Sequence, residues 1–199
     1  MARTVNPNRP ELEAEILRQA MLVFAEKGYK YTTIEDLSAA VKLKKTSIYH
    51  YFGSKEEILF RAMQMNLRQS LDPLLEIEQQ DLPPYEKLKR AITASAMATT
   101  DAPFVGNLFM TDRAAMAPKH LKACLDLRDR HETVMRKMIE DGIADGSFVK
   151  TDVRTAVRLI FGSLHSLSNW WKPGGRLTQE EVVEQYTTLL VDRMLSAKR

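Results

Sequence analysis

From Glu11 to Lys27 the apolar residues Leu12, Ile16, Leu17, Ala20, Val23 and Phe24 recur at intervals of three and four, which puts them on one face of a helix. Pro10 suits a first helical turn, where no N–H partner is lost, and Gly28 supplies the stop. A second, short helix is predicted over residues 33–40, with Thr33 as its N-cap and Asp36 three positions on. Leu43, the run Lys45 to Phe52 and Gly53 come next. Ser54 and Glu57 then form a capping box that opens a fourth helix carrying Ile58, Leu59, Ala62 and Met63. Further on, Pro73, Pro83-Pro84, Pro103 with Gly106, Pro118, Gly142 with Gly146, and Pro173-Gly174-Gly175 punctuate long amphipathic stretches. They predict helices near 54–71, 84–99, 104–115, 119–142, 152–171 and 178–197. No alternating pattern of strand length occurs, so the expected fold is all-α.

Composition narrows the class without naming a function. A chain of 199 residues makes one large domain or two small ones at roughly 100 to 200 residues each, and 44% apolar with 28% charged residues is ordinary for a globular protein. The single cysteine, Cys124, excludes an internal disulfide. The opening MARTVNPNRPELEAE has no apolar segment suited to a signal peptide, and no run approaches the ~20 apolar residues of a membrane span. A cytoplasmic protein is expected. The net charge of +3 is unevenly placed: residues 1–55 hold 9 basic and 6 acidic residues, and the remainder balances 20 against 20.

The excess concentrates further. Leu37 to Lys55 contains Lys42, Lys44, Lys45 and Lys55 and no acid. Tyr49, His50 and Tyr51 stand among these cations, while Ile48 and Phe52 repeat at i and i+4 as a buried side. A lysine run alone is normally a solvated face. Joined to a packed side and to two short helices separated by about three residues, it fits a helix-turn-helix, whose second helix can enter a major groove ~12 Å wide.

ILRQAMLVFAEKGY, TTIEDLSAA, SIYHYF and SKEEIL, taken in this order and spacing over residues 10–70, resemble the DNA-binding domain of the TetR family of bacterial transcriptional regulators. The resemblance implies a helix-turn-helix over Thr33 to Phe52, with Lys44 to Tyr51 as the recognition helix and its lead-in. Thr33, Tyr49 and Lys55 match the family's backbone contacts. Lys45, Thr46, Ser47 and His50 become the candidates for base edges, because the N-terminal part of a recognition helix lies nearest the groove floor. Lys44 and Tyr51 complete the DNA-facing set. Arg3 and Arg9 belong either to an arm that reaches DNA or to a loose tail. Two positions depart from the family. Its usual turn glycine is Lys42 here, and its usual small capping residue is Lys44. Lysine lacks easy access to positive φ and cannot accept a cap hydrogen bond, so a strained or altered turn is expected.

The resemblance divides the chain into a DNA-binding domain, residues 1–55 with helix 4 linking to about 71, and an effector-binding and dimerisation domain, residues 72–199. The last two helices carry Val157, Leu159, Ile160, Leu164 and Leu167, then Val183, Tyr186, Leu189, Leu190 and Met194. Such faces serve either a two-chain four-helix interface or the chain's own core. Seven of the ten methionines lie between Met63 and Met138, which suits core filling or an adaptable pocket. Phe104, Phe109, Met110, Met135, Met138, Phe161, Trp170 and Trp171 are the candidate pocket wall. IEDGIADGSF and NWWKPGGRLTQEEV resemble family members that respond to acyl-CoA thioesters, for which Arg128, Arg130, Lys172 and Arg176 are phosphate candidates or simply surface charges.

Enzyme readings find little support. His120 and Cys124 share a helical face, but two ligands do not make a metal site, and His165 lies among apolar residues. There is no Gly-rich phosphate loop, HExxH or nucleophile elbow. The expectation is a non-enzymatic, homodimeric regulator without cofactor or metal. Its partners would be an operator duplex and a small apolar or amphipathic effector, of which an acyl-CoA is one form. The alternative is a helical acyl-thioester-binding or carrier protein that does not bind DNA specifically.

Overall fold

The computed structural model describes residues 9–102 and 105–197, apart from the side chains of residues 105, 106, 107 and 110. Arg3, Phe104 and the Met110 side chain therefore lie outside the described residues. The chain forms two compact units, Met1–Asn66 with Leu108–Cys124, and Leu67–Asn107 with Leu125–Arg199.

In the first unit, α1 (Arg9–Lys27) buries Ile16, Leu17, Ala20 and Phe24, the face expected from their spacing. Gly28 ends the helix at φ +82°. Next come α2 (Ile34–Ala40), α3 (Lys45–Tyr51) and the start of α4 (Lys55–Gln79). Helix α2 packs against both α1 and α3. Leu37, Ile48, Phe52, Ile58 and Leu59 are all buried, so each short helix is held by one or two side chains set into a shared core.

Several helix ends differ from expectation: the helix expected over 178–197 passes from α to π geometry after Thr187, that expected over 104–115 turns 3-10 after Asp112, and the fourth helix runs on past its proline. Pro73 predicts a stop for the fourth helix near residue 71, yet α4 continues to Gln79. An interior proline costs roughly 3 kcal/mol, mostly as a lost hydrogen bond to the carbonyl four residues earlier. Here that carbonyl belongs to Gln69, which is exposed and can bond water instead. Leu74 and Ile77, both buried, contribute about 1.5–3 kcal/mol each on burial. The packing beyond the proline outweighs the break.

The chain then runs through α5 (Pro84–Asp101), α6 (Val105–Asp112), a 3-10 turn at Arg113–Ala115, and α7 (Pro118–Ala144). It ends with α8 (Val153–Trp170) and α9 (Gln179–Thr187), which leads into a π-helical segment, Thr188–Arg193. In the second unit α5 packs along α8 and α9, around a core that includes Leu88, Ile92, Met135, Ile139, Ile160, Leu167 and Val191. Most of the apolar stripe on α8, α9 and the π-helical segment is spent on this core: Val157, Ile160, Leu164, Leu167, Val183 and Leu190 are buried, and Leu159 and Leu189 remain exposed. No helix among the described residues is long and apolar enough to cross a membrane.

Candidate nucleic-acid interface

Helix α2 is fastened at its start by a reciprocal cap. The Thr33 hydroxyl accepts from the Asp36 N–H at 3.1 Å, and an Asp36 carboxylate oxygen accepts from the Thr33 N–H at 2.7 Å. Lys27 reaches the other oxygen at 2.7 Å. The Lys27 hydrogen bond, followed by those from Thr33, holds the Asp36 carboxyl well below the usual carboxylate range. Thr33 itself stays exposed at the mouth of this cap.

The turn after α2 explains what a lysine does in a glycine position. The Lys42 N–H donates to the Ala39 carbonyl at 3.1 Å, and the Leu43 N–H donates to the Ser38 carbonyl at 2.9 Å. This pair of bonds is a Schellman motif, which requires a left-handed residue after the helix. Lys42 fills that place at φ +54°, the one non-glycine residue with positive φ among those described. The turn keeps its shape and bears the strain. Lys44 caps α3 with extended backbone and no side-chain bond, as expected for a residue that cannot accept.

Helix α3 presents two faces. Ile48 is fully enclosed, while Lys44, Lys45, Thr46, Tyr49 and His50 are exposed and Ser47 and Tyr51 are partly so. Lys45 is already partnered: its ammonium lies 2.6 Å from Glu35 on α2, both side chains in solvent. That hydrogen bond pushes the Lys45 ammonium up and the Glu35 carboxyl down. Arg9, on the first turn of α1, donates to the His50 carbonyl at 3.3 Å and lies over the Tyr51 ring. Lys55 turns inward, donating to the Tyr29 and Thr32 carbonyls at 2.9 and 2.8 Å with its ammonium above the Tyr29 ring. It thereby ties the start of α4 to the turn before α2. Sequence reasoning missed the clamp on Lys45 because ten residues and a turn separate it from Glu35.

The remaining candidates are distributed across the chain. Met135, Met138 and Trp171 are buried in the second unit and Phe161 partly so, whereas Trp170 is exposed, with its indole N–H donating to the Tyr186 hydroxyl at 3.2 Å. Phe109 is buried and belongs to the first unit. His120 has partners of its own within the first unit. Its Nδ1 lies 2.8 Å from Glu56, its ring stacks on Phe60 at 4.0 Å, and the same carboxylate accepts the Ala117 N–H. Burial pushes the Cys124 thiol up to about 11, the opposite of what a nucleophile needs. No group of three metal-ligand residues occurs among the described residues.

Family models match both parts of the chain. "Bacterial regulatory proteins, tetR family" covers residues 16–62, and "Tetracyclin repressor-like, C-terminal domain" covers residues 81–194. The chain belongs to the TetR family. Among its relatives, the HTH-type transcriptional repressor KstR2 of Mycolicibacterium smegmatis is 30% identical over 183 residues, 89% of this chain and 87% of that one. KstR2 of Rhodococcus jostii is 26% identical over 92% of this chain and 90% of its own length. The TetR regulator PfmR of Thermus thermophilus superposes with a TM-score of 0.81 at 30% identity, over 92% of this chain and 99% of that one. AibR, solved with isovaleryl coenzyme A and operator DNA, shares the fold with a TM-score of 0.79 at 19% identity, over 90% and 98% of the two chains. The protein is accordingly a DNA-binding transcriptional repressor of the TetR family.

Proposed function

We propose that this TetR-family repressor binds a two-fold operator as a homodimer and releases it when a small apolar or amphipathic effector occupies the second unit. Helix α3 carries the DNA part of this reading: with Ile48 enclosed, its cations and hydrogen-bonding groups all face outward. Lys45, Thr46, Ser47 and His50 would read base edges, while Thr33, Lys44, Tyr49, Tyr51 and Lys55 would fix the register on phosphates. Leu159 and Leu189, 53% and 59% exposed, together with half-exposed Trp170, are the apolar side chains on α8 and the π-helical segment after α9 that a second copy would cover. A dimer would place two recognition helices about 34–36 Å apart, one helical turn of DNA. Residues 1–55, linked through α4, would serve DNA, and residues 72–199 would serve effector and dimer.

Met135, Met138, Phe161 and Trp171 would contribute to the effector site. An acyl-CoA is the effector class we favour, supported by the IEDGIADGSF and NWWKPGGRLTQEEV segments and by the fold shared with AibR. The effector would act by differential affinity, favouring a dimer whose helices no longer match the operator, and DNA must then weaken effector binding by the same factor. Such a regulator works in the cytoplasm, with no catalysis of its own. The test is binding of the purified chain to its own upstream DNA at 50 and 200 mM salt, with mass analysis of any co-purified ligand. Phosphate contacts impose a steep loss of affinity across that range. Failure to bind any genomic fragment specifically would refute the reading.

A further inference from the structure

Helix α7 turns one apolar face into the second unit, and a single imidazole interrupts it. Met135 and Met138, one and two turns beyond His131, are buried, and the imidazole meets the Phe161 ring from α8 edge to face at 4.9 Å between ring centres. His131 Nε2 is shut off from solvent and has no hydrogen-bond partner among the described residues. The Ser95 hydroxyl on α5 is buried in the same unit and is likewise unpaired. A buried polar atom without a partner destabilises a fold. A trapped water would need two or more polar partners, and Phe161, the ring that meets the imidazole, offers none.

We propose that His131 Nε2 is the polar contact of the effector site, reading one uncharged oxygen, a carbonyl or a hydroxyl, on an otherwise apolar ligand. The inference rests on the reading of the second unit as an effector domain and goes beyond it by naming the residue and the group it recognises. Burial, followed by the Arg128 charge one turn away, pushes the imidazole down to about 4. At neutral pH the ring is therefore uncharged. In one tautomer Nε2–H donates to a carbonyl, and in the other bare Nε2 accepts from a hydroxyl. Selectivity arises because a ligand lacking that oxygen leaves the nitrogen unpaired, as it is in the free protein.

The test uses two shape-matched probe pairs with the full chain. Acetophenone against ethylbenzene, and octanoyl-CoA against its S-octyl thioether, differ in one carbonyl, and the two pairs separate a free ketone from a thioester as its source. Binding is read by calorimetry, and the ring nitrogens of His131 by 15N shifts. Wild type should favour the carbonyl member of one pair over its mate by about fivefold more than His131→Leu does, the worth of one hydrogen bond. His131→Gln should keep part of that preference, and the Nε2 shift should move with the carbonyl probe alone. His131→Leu should also melt no lower than wild type, since an unpaired buried nitrogen is gone. A preference that persists in His131→Leu, or an Nε2 shift that ignores the probes, overturns the assignment and leaves the effector reading standing. If no probe binds either protein, the effector reading falls for both classes and the assignment falls with it.

Discussion

Replacing Gly142 by alanine should destabilise the second unit, although the same change inside a solvated helix gains about 0.8–1 kcal/mol. A Cβ at Gly142 would sit 2.1 Å from Phe148 Cδ2 and 2.3 Å from Cε2, where non-bonded carbons settle at ~3.5–4 Å. The ring must therefore shift by more than ~1 Å. Its backbone cannot follow: the Phe148 N–H donates to the Gly142 carbonyl at 2.8 Å, and Val149 and Ser147 are bonded to Leu195 and Ala197. The ring itself is 3% exposed. Local repacking costs about 1–3 kcal/mol, and outright loss of the ring from the core costs about 3–5. With the helical gain deducted, a net loss of about 2 kcal/mol is expected, or roughly 4–8 °C in melting temperature for a chain of this length. Calorimetry and urea unfolding at fixed protein concentration measure it. Adding Phe148→Leu should restore part of the loss by removing the colliding ring edge. A single Gly142→Ala variant that melts at or above wild type would refute the packing argument.

Four further outcomes are expected. Lys42→Gly relieves a left-handed lysine, worth about 1–2 kcal/mol, against about 0.4–1 kcal/mol of added freedom in the unfolded chain. Its urea midpoint should exceed that of Lys42→Met, which keeps the strain and loses the charge. Glu35→Gln frees Lys45 and removes an anion beside α3, so operator affinity should rise several-fold at low salt; unchanged affinity would place Lys45 away from the DNA. Lys55→Ala breaks two charged hydrogen bonds and should cost about 1–3 kcal/mol of stability, while the log-log salt slope of DNA binding drops by about 1; a stability loss with an unaltered slope would leave Lys55 a clamp only. Burial holds the folded His131 pKa at about 4, below the ordinary 6.5, so the protein is most stable above pH 6.5 and loses stability as pH falls towards 4 and the unfolded chain binds the proton more readily. The loss on acidification amounts to about 3 kcal/mol in all, and wild-type urea stability should fall more steeply over that window than that of His131→Leu.

The cap of α2 and the exposed basic face of α3 were legible because their signals are local. The Thr33–Asp36 cap, the i, i+4 pair Ile48 and Phe52, and the four lysines without an acid each lie within a few residues, and helical geometry converts such spacing into faces. Lys42 was legible as an anomaly for the same reason, since a helix stop with a fixed bond pattern needs a left-handed residue whatever its side chain. The reach of α4 was not legible. Pro73 is a local break, and only the burial of Leu74 and Ile77 overrides it.

Sequence alone determined that the chain is helical, where its basic face lies and which family it resembles, because periodicity, capping and charge are properties of neighbours. Tertiary structure decided the partners that are distant in the chain. It turned Lys55 inward onto two carbonyls, placed Glu35 on Lys45, and assigned most of the apolar stripe of the last helices to the chain's own core while leaving Leu159 and Leu189 exposed. It also set the His131 imidazole against Phe161 with one nitrogen unpaired among the described residues. Hydrophobic pattern says that a face is buried, but what buries it, and which polar atoms are stranded there, depends on elements brought together across the whole fold.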